Sequence, residues 1–468
     1  MRAKIILSLS ILIPFVLVFM YILLTATDYF YGDDTILIKG GFIENYLNGT
    51  LTFADLWRPK GMIRFLGYNL LLLANTKWFS MNPKIFFFMI PFLLLISAIL
   101  IYRDYRKSLS PERSPEFVAT TFFIFTLIIF NVIQWQGLIS GYSLNFQLPM
   151  PFIIASFVSL ELYLTKGKRY LPLAFILTAL AVLVFGGTPV FAFAPALVLT
   201  FLCYILTHHL SLTKDFWVRA SILGVFLAVI AVIYTFGIHQ NDSAPAFSPY
   251  HSSFVAEVLT RPWEAAQFFL TSFCASVVGI DAFFACNYFS THSITIIGMI
   301  VVLFYALALI LFFRSHMYER TYLPFFLIMQ TISHLAIVTI GRFGLVGRSG
   351  AMMSSYTCVS IFGLVAMVWI FIFVLVQPGR LSAFLKSIIY AGFSMIFAGL
   401  LLTSIIVWRV QSDRKAYFEQ LRETALQIDT ATPEELERLD FNEQICSSLR
   451  LLRQYKLNIY RSVPAGRK

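Results

Sequence analysis

The chain has 468 residues, 59% of them hydrophobic and only 13% charged, with a formal net charge of +11. Soluble globular domains carry about 25% charged residues, and the mean hydropathy here is +0.78, so the composition excludes a soluble fold and points to an all-α polytopic membrane protein. The basic excess sits in short loops between apolar segments, the pattern of cytoplasmic loops and not of a nucleic-acid surface; five scattered cysteines without a CxxC offer no zinc or redox motif.

A helix needs about 20 apolar residues to cross a bilayer. In chain order, such stretches fall near residues 5–25, 84–102, 117–134, 148–164, 170–185, 189–208, 217–237, 293–313, 321–340, 352–376 and 384–407. The first follows Met-Arg-Ala-Lys and lacks a cleavage site before Asp28, so it reads as a retained helix with a cytoplasmic N-terminus. Two further stretches, 62–80 and 264–284, are ambiguous. The basic loops Arg103/Arg106/Lys107/Arg113, Lys166/Lys168/Arg169, Lys214/Arg219, Arg314/Arg320 and Arg380/Lys386 all reach the cytoplasmic side if neither stretch crosses. Both are therefore expected as interfacial or re-entrant helices on the outer face. That gives about eleven crossings, or up to thirteen if both cross, and places the C-terminus outside.

This topology puts the unusual polar residues on the outer side, in 26–83, 135–147, 238–292, 341–351 and the tail. The first outer loop opens with Asp28-Tyr-Phe-Tyr-Gly-Asp33-Asp34. A carboxylate pair at a membrane boundary is costly to leave unpaired. One Asp suits the N-cap of an amphipathic helix over 35–47; the other suits a general base for an acceptor hydroxyl. Trp57, Arg58, Lys60 and Arg64 follow, and Arg342 and Arg348 sit in a Gly-rich outer segment. These cations fit lipid phosphate, by guanidinium fork or by point charge, and the alternative for the first group is snorkelling to the headgroups.

The segment 134–147 mixes aromatics with amides, so Trp135, Gln136, Tyr142 and Asn145 are candidates for sugar or acceptor recognition, as are Trp57 in the first loop and His251 in the long loop 239–264. No His/Asp spacing matches a metal motif; no cofactor is expected, and dependence on a divalent metal stays open. Gln330 and His334 lie four apart on one helix and suit hydrogen bonds across the bundle. No inner loop is large enough for a nucleotide-binding domain. From Arg409 the composition turns polar: 1–408 reads as a transmembrane domain and 409–468 as an outer tail. There Thr432-Pro433-Glu434-Glu435 is a capping box and Ile445, Leu449, Leu452 and Tyr455 recur at helical spacing.

The Asp33-Asp34 pair just after the first membrane helix, and the basic run from Arg58 to Arg64, resemble the GT-C glycosyltransferase superfamily. In size and plan the chain is also similar to serotype-converting O-antigen glucosyltransferases. Further similar pieces are the segment at Gln134-Trp135, Ser354-Ser355-Tyr356 and the terminal Arg453 to Tyr460. The chain departs from the family where Ser355 stands in place of an expected Arg, unless Arg342 or Arg348 substitutes. The resemblance implies a GT-C-like bundle in a bacterial inner membrane, and an inverting enzyme taking sugar from a polyprenyl-phosphate carrier to a glycan or lipid-linked acceptor. Asp33 or Asp34 would be its base. A flippase or transporter, and an outer-face polymerase or ligase of lipid-linked glycans, are the rival readings.

Overall fold

The computed structural model describes residues 1–30, 38, 41–59, 63–109, 113–208, 213–236, 253–285, 290–344, 348–377, 381–438 and 443–462. The described residues are 84% helical, as lipid demands, since a helix satisfies its own backbone donors and acceptors where no water can. Ten helical stretches are long and apolar enough to cross a membrane among the described residues. The helices that matter below are α1 (Arg2–Thr25), α2 (Leu66–Phe79), α3 (Pro83–Ser108), α4 (Pro115–Ile129) and α5 (Pro149–Lys166). They continue with α6 (Leu171–Ala179), α7 (Thr188–His208), α8 (Lys214–Thr235), α9 (Pro262–Cys274) and α10 (Thr291–Arg314). The last are α11 (Leu323–Arg342), α12 (Ser354–Leu375), α13 (Ala383–Arg409), α14 (Gln411–Leu426) and α15 (Glu443–Gln454).

The stretch expected at 170–185 is the one that falls short of the length of a span. It is α6 followed by one π-turn over Leu180–Val184. It nonetheless runs the length of its antiparallel neighbour α5. It leaves the Lys166 end, pairs Thr178 with Ser156 midway (2.7 Å), and ends at Gly187, whose α-carbon lies against the Asn145 carbonyl and Pro149. Gly187 has φ +104° there, a conformation open to glycine and strained for other residues.

Contacts sort the loops into two rims. At one, Asp104 meets Lys107 (3.6 Å) and Thr321, Glu161 accepts the Tyr322 N–H (3.0 Å), and Arg219 donates to the Tyr163 and Leu164 carbonyls (3.1 and 2.9 Å). This basic rim holds the Lys/Arg-rich loops. The opposite loop rim gathers the first loop, the segment 131–148, Gly186, the end of α8 and the tail.

The two ambiguous segments both begin and end at the loop rim. One end of α2 follows Arg64, which is bonded to the end of α8, and the other precedes Ser80 and Met81, whose carbonyls receive bonds from Asn458 of the tail. α9 enters from the same rim, and Leu270 packs on Gly298, about two turns inside α10. The chain then turns where Val277 meets Gly399 and the Gly279 N–H donates to Thr403 (3.0 Å). It returns through a helix over Ile280–Ala285. This is a re-entrant hairpin seated on glycines, which let backbones approach where lipid offers no hydrophobic drive to associate. At the centre stands α12, apolar on all sides and 94% buried.

Candidate functional site

α8 is the least embedded of the ten membrane helices, at 17% buried. It is tethered at its two ends by arginines bonded to carbonyl groups. At the basic rim Arg219 reaches the last turn of α5. At the loop rim Arg64 donates from Nε to the Tyr234 carbonyl (2.7 Å), from Nη1 to the Trp57 carbonyl (2.5 Å) and from Nη2 to the Phe236 carbonyl, while its own N–H meets the Tyr234 hydroxyl (3.2 Å). Between the tethers α8 leans on α6, with Phe175 stacked on Phe226 (3.8 Å). It leaves a gap toward α7.

That gap is a half-open groove of about 570 Å³ between α5, α7 and α8. Its walls are apolar, among them Phe157, Leu160, Phe193, Leu197 and Leu227, with Gly224 on α8. Glu161, Thr165, Tyr204 and Tyr322 stand at the basic-rim end, and Tyr234 and Thr235 at the loop-rim end. The groove ends beside Arg64, whose guanidinium lies 4.7 Å from the Trp57 ring. Burial holds Arg64 below its ordinary pKa, with Tyr234 acting in the opposite sense.

Around this end the structure gathers four of the residues singled out in the sequence. Trp57 and Arg64 are in contact; Phe65 packs edge-on to Tyr142 (5.7 Å); and the Arg64 and Asn145 carbonyls abut the adjacent glycines Gly186 and Gly187. Arg58 lies apart, exposed and 3.7 Å from Asp55. The Thr52 hydroxyl and N–H, then Arg58, hold the Asp55 carboxyl below its usual range. All three bonds from the Arg64 guanidinium go to backbone carbonyls, in the manner of a cation capping the negative end of a helix.

Trp135 belongs to a second cluster. The Arg414 guanidinium sits over its ring at 3.6 Å, donates to Asp281 (2.6 Å) and reaches the Tyr21 hydroxyl (2.5 Å). One face of Trp135 is therefore covered by an arginine and closed to a stacked sugar. Burial pushes the Asp281 carboxyl above its usual range, against the pull of Arg414. The amides of 134–147 are mostly spent internally. Gln147 donates to Gln134 (2.8 Å), Asn145 to the Tyr142 carbonyl (2.9 Å), and the Gln136 N–H to Ser354 (2.9 Å). Gln330 does bond across the bundle, to the Pro189 carbonyl (2.8 Å), whereas both ring nitrogens of His334 are buried beside Phe146 and Tyr356 without a hydrogen-bond partner among the described residues.

Arg342 is half-buried in the last turn of α11, where a cation favours the helix end. Asp33, Asp34, Lys60 and His251 lie outside the described residues, as does the Arg348 side chain. Among the described residues no cluster of three or more His, Cys, Asp or Glu side chains is placed to hold a metal. Sequence reasoning missed Tyr234, Arg414 and Arg422. A signal for the last two existed: Gln411, Arg414, Phe418, Leu421 and Ala425 recur at helical spacing, marking a face that needs a partner.

These features define a polytopic all-helical membrane protein with a lateral apolar groove. Comparison of the chain with family models, curated proteins and solved structures returned no match.

Proposed function

We propose that the protein is a membrane glycosyltransferase that takes a sugar from a polyprenyl-phosphate carrier and delivers it to an extracytoplasmic glycan or lipid-linked acceptor, in a bacterial inner membrane. The observation that carries this reading is the groove: apolar along its walls, open on one side, and ending at the loop rim beside Trp57 and Arg64. An isoprenoid tail seated there presents its phosphate to the loop rim, with Arg58, Lys60, Arg342 and Arg348 as the candidate phosphate ligands by sequence. Asp33 or Asp34 removes the acceptor proton. The acceptor oxygen then bonds to the anomeric carbon as the bond to the phosphate oxygen breaks, inverting that carbon. The phosphate leaves as an anion against the rim cations.

A flippase reading is weaker, because passage of a headgroup needs a polar path and the groove walls are apolar. A polymerase or ligase shares the same rim and differs in product: a ladder in place of a single added sugar. The deciding experiment is transfer of labelled sugar from a polyprenyl-phosphate sugar to acceptor by the purified protein in nanodiscs. One-sugar product supports the reading, a ladder supports polymerisation, and movement of the lipid between leaflets without product supports flipping.

The groove has its own test. A β-carbon at Gly224 meets nothing within 4 Å, and the residue lines the groove, so Gly224→Phe places a ring where the tail would lie. It is expected to raise the donor KM about tenfold, which corresponds to about 1.4 kcal/mol of lost seating. A short-tailed donor is expected to be affected less. An unchanged KM for the long-tailed donor would remove the groove from the mechanism.

A further inference from the structure

The tail turns back on the bundle as soon as α13 ends, and one face of α14 follows the exit of α1. Gln411 donates to the Leu24 carbonyl (2.8 Å), Arg414 to the Tyr21 hydroxyl (2.5 Å), and Arg422 from Nε to Asp28 (2.8 Å). Further contacts come from the end of the chain. Arg461 lies 3.8 Å from the other Asp28 oxygen, and Asn458 donates to the Asp28 and Met81 carbonyls (2.8 Å each). Tyr455 donates to Asn48 (3.1 Å), just past the helix Phe42–Leu47. The tail thus grips the first loop at Asp28, at Asn48 and at Met81. The first two flank in sequence the stretch that contains Asp33 and Asp34. Through Asp281 and Trp135 the same helix also holds the re-entrant hairpin and the 134–147 segment.

Part of this grip is buried. The Arg414 and Asp281 side chains are 8% and 16% exposed, and an arginine taken out of water at a membrane boundary is stable only while its carboxylate and π partners stay in place. The Arg422–Asp28 pair is more open, at 33% and 23%. Its removal therefore tests position with less risk to folding.

We propose that α14 is a clamp on the first loop, and that Arg422 and Arg414 are positioning residues for the loop-rim chemistry. Neither is a catalytic residue. Asp28 serves as the anchor of the clamp and is not the base. The rate readout of this proposal rests on the glycosyltransferase reading. A catalytic group displaced by about 1 Å can lose about 10²-fold in rate, so the expected signature is a fall in kcat with little change in donor KM.

The test uses full-length protein in nanodiscs with a polyprenyl-phosphate sugar. Arg422→Gln is expected to lower kcat about tenfold or more with donor KM unchanged within about twofold, and Arg422→Lys to recover part of the loss. Asp28→Asn should lower kcat comparably, and the double variant should be no worse than either single one, as for two residues of one unit. Arg450→Gln, which breaks an exposed pair with Asp429 inside the tail, should leave kcat unchanged. Full kcat in Arg422→Gln, or additive losses in the double variant, would overturn the clamp. If the wild-type protein transfers no sugar, the glycosyltransferase reading fails, and the clamp is judged by amide hydrogen exchange at Phe42–Leu47. Faster exchange in Arg422→Gln than in Arg450→Gln supports the clamp; equal exchange overturns it.

Discussion

Replacing Asp33 and Asp34 together by asparagine is expected to lower sugar transfer about 10²–10⁴-fold, the range for loss of a general base, while donor KM stays within about twofold. Among the acids described at the loop rim, Asp28 is bound by Arg422 and Arg461, Asp281 by Arg414, Asp55 by Thr52 and Arg58, and Glu257 and Glu264 by Arg261. Taking a proton would cost each of these carboxylates an ion pair or a charge-assisted hydrogen bond. The Asp33-Asp34 pair is the carboxylate motif of the first loop to which the proposed mechanism gives the role. Single substitutions separate a base from a helix cap. The variant that loses the base is slow at every temperature. The variant that loses only a cap keeps most of its rate and loses about 1 kcal/mol of stability. Full transfer by a folded double variant would end the assignment.

The membrane segments were legible because each is set by a local property, a run of apolar residues near the bilayer thickness. All of those expected in sequence appear as helices, and only 170–185 is too short to qualify by length, because a π-turn and the Gly186-Gly187 break end it early. Loop charge groups the two ambiguous segments with the first loop in sequence, and their contacts lie at the same rim as that loop. The pairings within the rim were not legible. Arg64 reads in sequence as a phosphate ligand because its type and setting allow it, but its partners include backbone carbonyls 170 and 172 positions away. A carbonyl carries no residue identity, so no motif announces it. Arg414 and Asp281 are 133 positions apart, and a polar tail gives no sign that one of its arginines will enter the membrane boundary. Trp135 was read as a stacking surface for sugar on its chemistry alone, and that chemistry serves a guanidinium equally well.

Gly298→Ala is expected to destabilise the fold by about 3 kcal/mol, the upper end of overpacking costs, and to weaken the seat of the re-entrant hairpin first. A β-carbon at Gly298 would lie 1.9 Å from the Leu270 carbonyl oxygen and 2.6 Å from its carbon. Both belong to the backbone of α9, so no rotamer change relieves the overlap and the whole helix must move outward. Gly224→Ala is the matched control. It too places alanine in a membrane helix, where the change from glycine favours the helix by about 1 kcal/mol, but nothing lies within 4 Å of the new methyl. Thermal unfolding in one detergent should therefore move the two variants in opposite directions. The consequence for the site follows from the path of the chain. α9 leads through the turn at Val277–Gly279 to Asp281, and Asp281 is the buried partner of Arg414. A hairpin pushed off α10 carries Asp281 with it and leaves a guanidinium without its carboxylate at the membrane boundary, which the bundle cannot tolerate cheaply. Loss of Gly298 should therefore also loosen α14, and hydrogen exchange in α14 should rise in Gly298→Ala and stay at the wild-type level in Gly224→Ala. Equal stability of the two variants would mean that α9 is not seated on α10 as its contacts describe.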